Sequence, residues 1–167
     1  MTRCGPLFPN IGEPVLRRFF WIVLLTLSLT TICQAKGTYL GKLSVNPRGP
    51  DSIGNPDGLY GSNLSPFSIH NPAGRYGSEV SNVSATNPHA TRPPKLYDRT
   101  GIYRGRLSAN PHLPDSTSNP YGRYGSKSSP DSINNPYGAG MPGRIDSPNN
   151  PYGEGMSLYA DDDVHHK

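Results

Sequence analysis

The feature that most constrains this chain is a repeat. Sliding the sequence by 64 positions superposes Tyr39 on Tyr103, and 22 of the 36 residues from 39 to 74 are identical to those from 103 to 138. The shared residues include Gly41 with Gly105, Leu43-Ser44 with Leu107-Ser108, Pro50-Asp51-Ser52 with Pro114-Asp115-Ser116, and Tyr60-Gly61-Ser62 with Tyr124-Gly125-Ser126. A shorter period runs inside this one. Asn55-Pro56, Asn71-Pro72 and Asn87-Pro88 begin 16 residues apart, as do Asn119-Pro120 and Asn135-Pro136, whereas Asn150-Pro151 arrives after 15. Whatever shape one unit takes, the chain must take it several times.

The unit is clearest from Ser129 to Gly138, Ser-Pro-Asp-Ser-Ile-Asn-Asn-Pro-Tyr-Gly. Ser129 is placed to cap a helix N-terminus, Pro130 suits a first helical position, and Asp131 complements the dipole there. Only about one turn can follow. Pro136 steers Asn135 toward extended or polyproline geometry, and Gly138 is free to adopt positive φ. The unit reads as turn, extended link, turn, and is shorter than the usual solenoid periods of roughly 20 to 50 residues. Two segments alternate as strands do, Tyr39 to Val45 and Tyr103 to Ala109. They occupy equivalent places, so they either pair with each other or each opens its own half.

Before the repeat, the basic pair Arg17-Arg18, an apolar run from Phe19 to about Leu29 and the small residues Cys33 and Ala35 predict a signal peptide over residues 1–35. The expected localisation is therefore exported, periplasmic or secreted. The run to Cys33 is shorter than the roughly 20 residues of a membrane span, so an uncleaved anchor fits less well. Cys4 and Cys33 both fall in this segment, so no disulfide is expected in the rest. After residue 35, glycine and proline account for 33 of 132 residues, while Leu, Ile, Val and Phe number 18. Apolar burial is thus scarce against an ordering entropy of about 1–2 kcal/mol per residue. The expected fold class is a mostly irregular, turn-rich repeat with a few short β-strands, little helix outside the signal segment, and partial disorder. The organisation reads as 36–86, a first copy; 87–102, a proline-containing linker and strand lead-in; 103–158, a second copy; and 159–167, a solvated acidic and histidine tail.

All ten tyrosines follow residue 35. Tyr60, Tyr76 and Tyr124 precede Gly-Ser, and Tyr121, Tyr137 and Tyr152 follow Asn-Pro. Flat amphipathic rings at repeated positions suit contact with a polysaccharide or a partner strand, and Tyr121, Tyr124, Tyr137 and Tyr152 are the candidate partner-contact residues. The competing expectation is that the rings build what core there is. Asp51, Asp115, Asp131 and Asp146 recur and raise calcium as a possibility, but Phe67 replaces the aspartate in one unit and turn capping explains the same residues. No catalytic residue, cofactor-binding residue or metal ligand is assigned. There is no G-x-S-x-G elbow, phosphate-binding loop or dinucleotide fingerprint. Past residue 35 the formal charge is only +2, so Arg104, Arg106 and Arg123 beside tyrosines do not argue for nucleic acid. No membrane partner is expected once the signal is removed. Asn63-Leu64-Ser65 and Asn82-Val83-Ser84 are glycosylation sequons whose use depends on the host.

Asn119-Pro-Tyr-Gly-Arg-Tyr-Gly-Ser126 and the Ser129–Gly138 segment resemble those of a group of small exported bacterial proteins of unknown function built from such repeats. The resemblance covers about residues 39 to 153 and implies no activity. The first copy departs from it, with Asp57 and Ala73 where the second has Tyr121 and Tyr137. The expectation is a non-enzymatic structural or binding protein whose partner is an envelope polysaccharide or protein. The alternatives are a largely disordered secreted spacer without a dedicated ligand, and a calcium-stabilised repeat.

Overall fold

The computed structural model describes residues 37–162. The expected signal peptide over 1–35 and the pair His165-His166 lie outside the described residues. Within them there is no helix, and four short strands are joined by long runs of linked turns, which is the turn-rich, strand-poor fold expected.

The turns explain the period. From Gly49 onward, backbone N–H groups bond back three residues at regular intervals: Ser52 to Gly49, Asn55 to Ser52, Gly58 to Asn55. One wider step follows, Ser62 to Gly58, and the series resumes through Ser65, Ser68, Asn71 and Gly74 to the next wide step at Ser78. Four three-residue steps and one four-residue step make the 16-residue unit. In the last unit the step after Gly138 is also of three residues, closed by the Met141 N–H, and for that reason Asn150-Pro151 arrives one residue early.

Each turn tends to open on a short side chain that accepts from the N–H two residues on. Ser65 accepts from Phe67 at 3.3 Å, Ser68 from His70 at 3.1 Å and Asn71 from Ala73 at 3.0 Å. Asn-Pro-x-Gly then fills a β-turn with preferred residues, asparagine first, proline second and glycine fourth. Asparagine adds what serine lacks, a donor: Nδ2 of Asn55, Asn71, Asn87, Asn119, Asn135 and Asn150 donates to the carbonyl six residues earlier, at 2.9–3.2 Å. One asparagine per unit therefore staples two successive turns. The helix start expected at Ser129 is instead one such turn, in which Ser129 Oγ accepts from the Asp131 N–H at 3.3 Å. Gly138 does not take positive φ either. The positive-φ glycines among the described residues are Gly41, Gly101, Gly105 and Gly155, and Gly138 is needed for clearance, since a Cβ there would sit 2.7 Å from the Pro130 carbonyl oxygen.

The strands are β1 (Tyr39–Leu43), β2 (Lys95–Tyr97), β3 (Tyr103–Arg106) and β4 (Met156–Tyr159). They form one antiparallel sheet in the order β1-β4-β2-β3. The strands that open the two copies, β1 and β3, are thus at opposite edges and each opens its own half. They stop at Leu43 and Arg106 because Ser44 and Ser108 begin the next turns, accepting from the N–H groups of Asn46 and Asn110. Leu96 pairs with its repeat counterpart Leu158, Tyr39 pairs with Tyr159 as Tyr103 does with Tyr97, and Lys42 pairs with Ser157 as Arg106 does with Lys95. The copies are therefore related by a pseudo-two-fold axis through the Leu96–Leu158 pair. Both edges are covered by the chain that follows, through parallel bridges Lys42–Ser52 and Arg106–Ser116, which removes the hazard of open strand edges.

The segment 87–102, read as a linker and strand lead-in, is an integral part of the body. It contains the central strand β2, Pro93 and Pro94 are fully buried, and their carbonyls accept from Arg106 Nη1 and the Leu107 N–H. Leu40, Leu96, Met156 and Leu158 join Ile53, Ile69, Val83, Ala85 and Ala139 in the core. Much of the remaining interior is serine: Ser68, Ser84, Ser116, Ser132 and Ser147 are completely buried, one per unit. No buried side-chain N or O among the described residues lacks a hydrogen-bond partner, so satisfied hydroxyls take the place of scarce aliphatic groups.

Candidate functional site

The tyrosines divide into two sets with different environments. Six rings form one continuous file across the sheet face opposite Leu40, Leu96 and Leu158. Its order is Tyr60, Tyr39, Tyr159, Tyr97, Tyr103, Tyr124, with centroid spacings of 5.3, 5.3, 5.8, 5.7 and 5.6 Å and mostly edge-to-face geometry. The file obeys the pseudo-two-fold, exchanging Tyr60 with Tyr124, Tyr39 with Tyr103 and Tyr159 with Tyr97. Burial pushes the hydroxyls of Tyr39 and Tyr103 well above the usual tyrosine range, reinforced by Asp51 and Asp115. Tyr124, one of the four candidate contact residues, belongs to this half-buried file and not to the open surface, because its ring packs on Tyr103 and under the Arg123 guanidinium. Tyr76 is in the core and donates its hydroxyl to Asp162 at 3.0 Å.

The other three candidates, Tyr121, Tyr137 and Tyr152, are 95, 92 and 93% exposed. Each is the third residue of an Asn-Pro-Tyr-Gly turn, with its N–H donated to the side chain of Asn119, Asn135 or Asn150. The units carrying them are tied together. Asn134 Nδ2 donates to the carbonyls of Thr117 and Gly125 at 2.8 and 3.0 Å, and Asn149 Nδ2 repeats this with Ile133 and Gly140 at 3.2 and 2.9 Å. Three aromatic side chains thus stand on the same corner of three successive, hydrogen-bonded units and bury almost nothing within the chain. The first copy has Asp57, Ala73 and His89 at these corners.

The recurring aspartates are engaged by cations and tyrosines. Asp115 accepts from Tyr103 and Arg106, Asp131 from Arg104 and Arg123, and Asp146 from Arg144 in a two-bond pair. The Arg123 hydrogen bond holds the Asp131 carboxyl below its ordinary value, and Arg144 does the same for Asp146. Among the described residues no group of three or more His, Cys, Asp or Glu side chains is placed to hold a metal ion. The tail begins as a clamp rather than a solvated end. Asp161 is buried and ion-paired with Lys95 at 2.6 Å and Arg106 at 2.7 Å, and Asp162 accepts from the Thr38 N–H, the Thr38 hydroxyl and Tyr76. The cations of β2 and β3 hold Asp161 in place, and the spacing of the acidic run carries no sign of them.

Compared with protein-family models, with curated proteins and with solved structures, the chain matches none.

Proposed function

We propose that the chain is an exported, non-enzymatic repeat protein that contacts a polymer of the cell envelope through the aromatic corners of its second copy. The observation that carries this reading is the near-complete exposure of Tyr121, Tyr137 and Tyr152 on equivalent turns of consecutive units. Large rings with no intramolecular packing role, presented at a regular interval, suit a ligand that is itself periodic. Export rests on the leader-like composition of residues 1–35. The closed turns of residues 37–162 favour this reading over a disordered spacer, and the engagement of Asp115, Asp131 and Asp146 by tyrosine and arginine favours it over a calcium-stabilised repeat.

The test is co-sedimentation of the full chain with insoluble peptidoglycan and with cell-surface polysaccharide. Retention on one of them is expected, and the combined Tyr121→Ala, Tyr137→Ala and Tyr152→Ala variant should lose most of it. Equal retention of that variant, or no retention on either polymer, overturns the reading.

A further inference from the structure

Tyr152 also lines a cavity of about 250 Å³, smaller than the roughly 300–1,000 Å³ of sites for drug-sized ligands. The cavity lies where the start of the first copy meets the end of the second, with Lys42, Asn46, Gly49, Asp51 and Glu154 among its other walls. Its polar groups are only partly engaged within the chain. Lys42 Nζ approaches Glu154 only to 3.5 Å, with the two side chains 30 and 51% exposed, a loose pair of little energetic weight. Asn46 uses its side-chain oxygen on the Arg48 N–H, which leaves Nδ2 as a donor. Glu154 supplies acceptors, and Asp51 does so beside the hydrogen bond it takes from the Tyr39 hydroxyl.

The pseudo-two-fold provides an internal control. The positions matching Lys42, Gly49 and Tyr152 at the other end are Arg106, Leu113 and His89, and Glu154 stands where Arg92 does, its N–H donated to the Ile145 carbonyl as that of Arg92 is to Asn82. Arg106 is drawn onto Asp115, Asp161 and the Pro93 carbonyl, and a leucine stands where Gly49 leaves space. The departures between otherwise matching ends are those that clear the cavity, free its cation and place an aromatic ring beside it.

We infer that this cavity is a subsite for one neutral hexopyranose ring. Resting on the polymer-binding reading, it specifies the unit that the Tyr152 end takes. The apolar C–H face of the sugar lies on the Tyr152 ring, its hydroxyls donate to Asp51 and Glu154, and its oxygens accept from Asn46 and Lys42. Two carboxylates against one ammonium select against an anionic sugar.

Saturation-transfer NMR on the full chain tests this with methyl β-glucopyranoside as the neutral probe and glucuronate as the anionic one. Transfer to methyl glucoside with millimolar affinity is expected, with weaker transfer to glucuronate. Gly49→Leu, which installs the residue found at position 113, and Glu154→Thr, which removes a carboxylate acceptor from the cavity wall, should each weaken binding at least about tenfold. The near-ultraviolet circular dichroism of the tyrosine file reports whether each variant is folded, and Glu154→Thr decides if Gly49→Leu is not. Absence of transfer to methyl glucoside, equal transfer to glucuronate, or unchanged affinity in a folded variant overturns the subsite. Polymer retention that survives in the absence of methyl glucoside transfer removes this subsite alone, whereas retention unaffected by the triple tyrosine variant removes the parent reading.

Discussion

Leu40 and Ile53 of the first copy become Arg104 and Thr117 in the second, although the paired positions lie in matching strands and in the turns that follow them. Both copies keep the backbone and differ in what they hang on it. The first turns aliphatic residues inward and carries Asp57, Ala73 and His89 on its Asn-Pro corners. The second replaces part of that interior with charge, Arg104 bridging Asp98 and Asp131, and puts tyrosine on the corners. The lesson is that the shape is written by serine, asparagine, proline and glycine, whose hydrogen bonds are local. The positions between them are free to diverge toward a core in one half and a surface in the other.

The strongest test of that equivalence is at the axis. Leu96→Ala and Leu158→Ala each empty a fully buried site at the centre of the sheet, and each should cost about 2–5 kcal/mol in chemical denaturation. Matching losses uphold the pseudo-symmetry, and a loss confined to one of them breaks it. Next come the staples. Asn71→Ala and Asn135→Ala, equivalent residues of the two copies, remove the same two side-chain hydrogen bonds and should each cost about 1–3 kcal/mol, while Asn63→Ala, outside the staple, should leave the midpoint nearly unchanged.

A pH titration sharpens the comparison between the β2–β3 hairpin that joins the copies and the clamp that ends the second. Burial pushes the Asp98 and Asp161 carboxyls up, but hydrogen bonds from Thr100, Ile102 and Arg104 in one case, and from Lys95 and Arg106 in the other, hold them below the ordinary value. Groups depressed in this way stabilise the fold above the unfolded aspartate value of about 4, and that contribution is lost as the pH falls through the depressed folded value. Asp98→Asn and Asp161→Asn should therefore lower stability at pH 7 and converge on the parent protein as the solution is acidified. A gap that stays constant with pH would show that the two carboxyls act by packing alone. The smallest effect is expected at the corners, where Tyr121→Ala should change stability by less than about 0.5 kcal/mol, as the exposure of its ring requires.

Much of the periodic part of this fold is legible before any coordinates. The Asn-Pro spacing and the equivalence of Tyr39 with Tyr103 locate both outer strands. The division of each unit into three-residue steps is hidden, because Met141 and Arg144 open turns as Ser65 does and only their backbones matter. The inner strands are hidden for a different reason. At three and four residues they carry no alternation to detect, and the one available sign, Leu96-Tyr97 recurring as Leu158-Tyr159, stands at an offset of 62 rather than 64. Asp161 and Asp162 look like a solvated acidic end because their partners, Lys95, Arg106, Thr38 and Tyr76, are 55 or more residues away. For the candidate surface, the position after Asn-Pro coincides with the exposed rings of Tyr121, Tyr137 and Tyr152. Tyr124, before Gly-Ser, is misplaced, since its fate depends on the ring of Tyr103.

The order β1-β4-β2-β3 interleaves the halves, for the first strand of each copy pairs with the last strand of the other. A lone copy would carry an opening strand and a closing strand with no mate for either, so two copies are the smallest version of this sheet that closes. In that sense the chain is a covalently fused dimer with exchanged ends. Fusion fixes the two halves in equal number, and so allows one to keep the interior while the other changes its face.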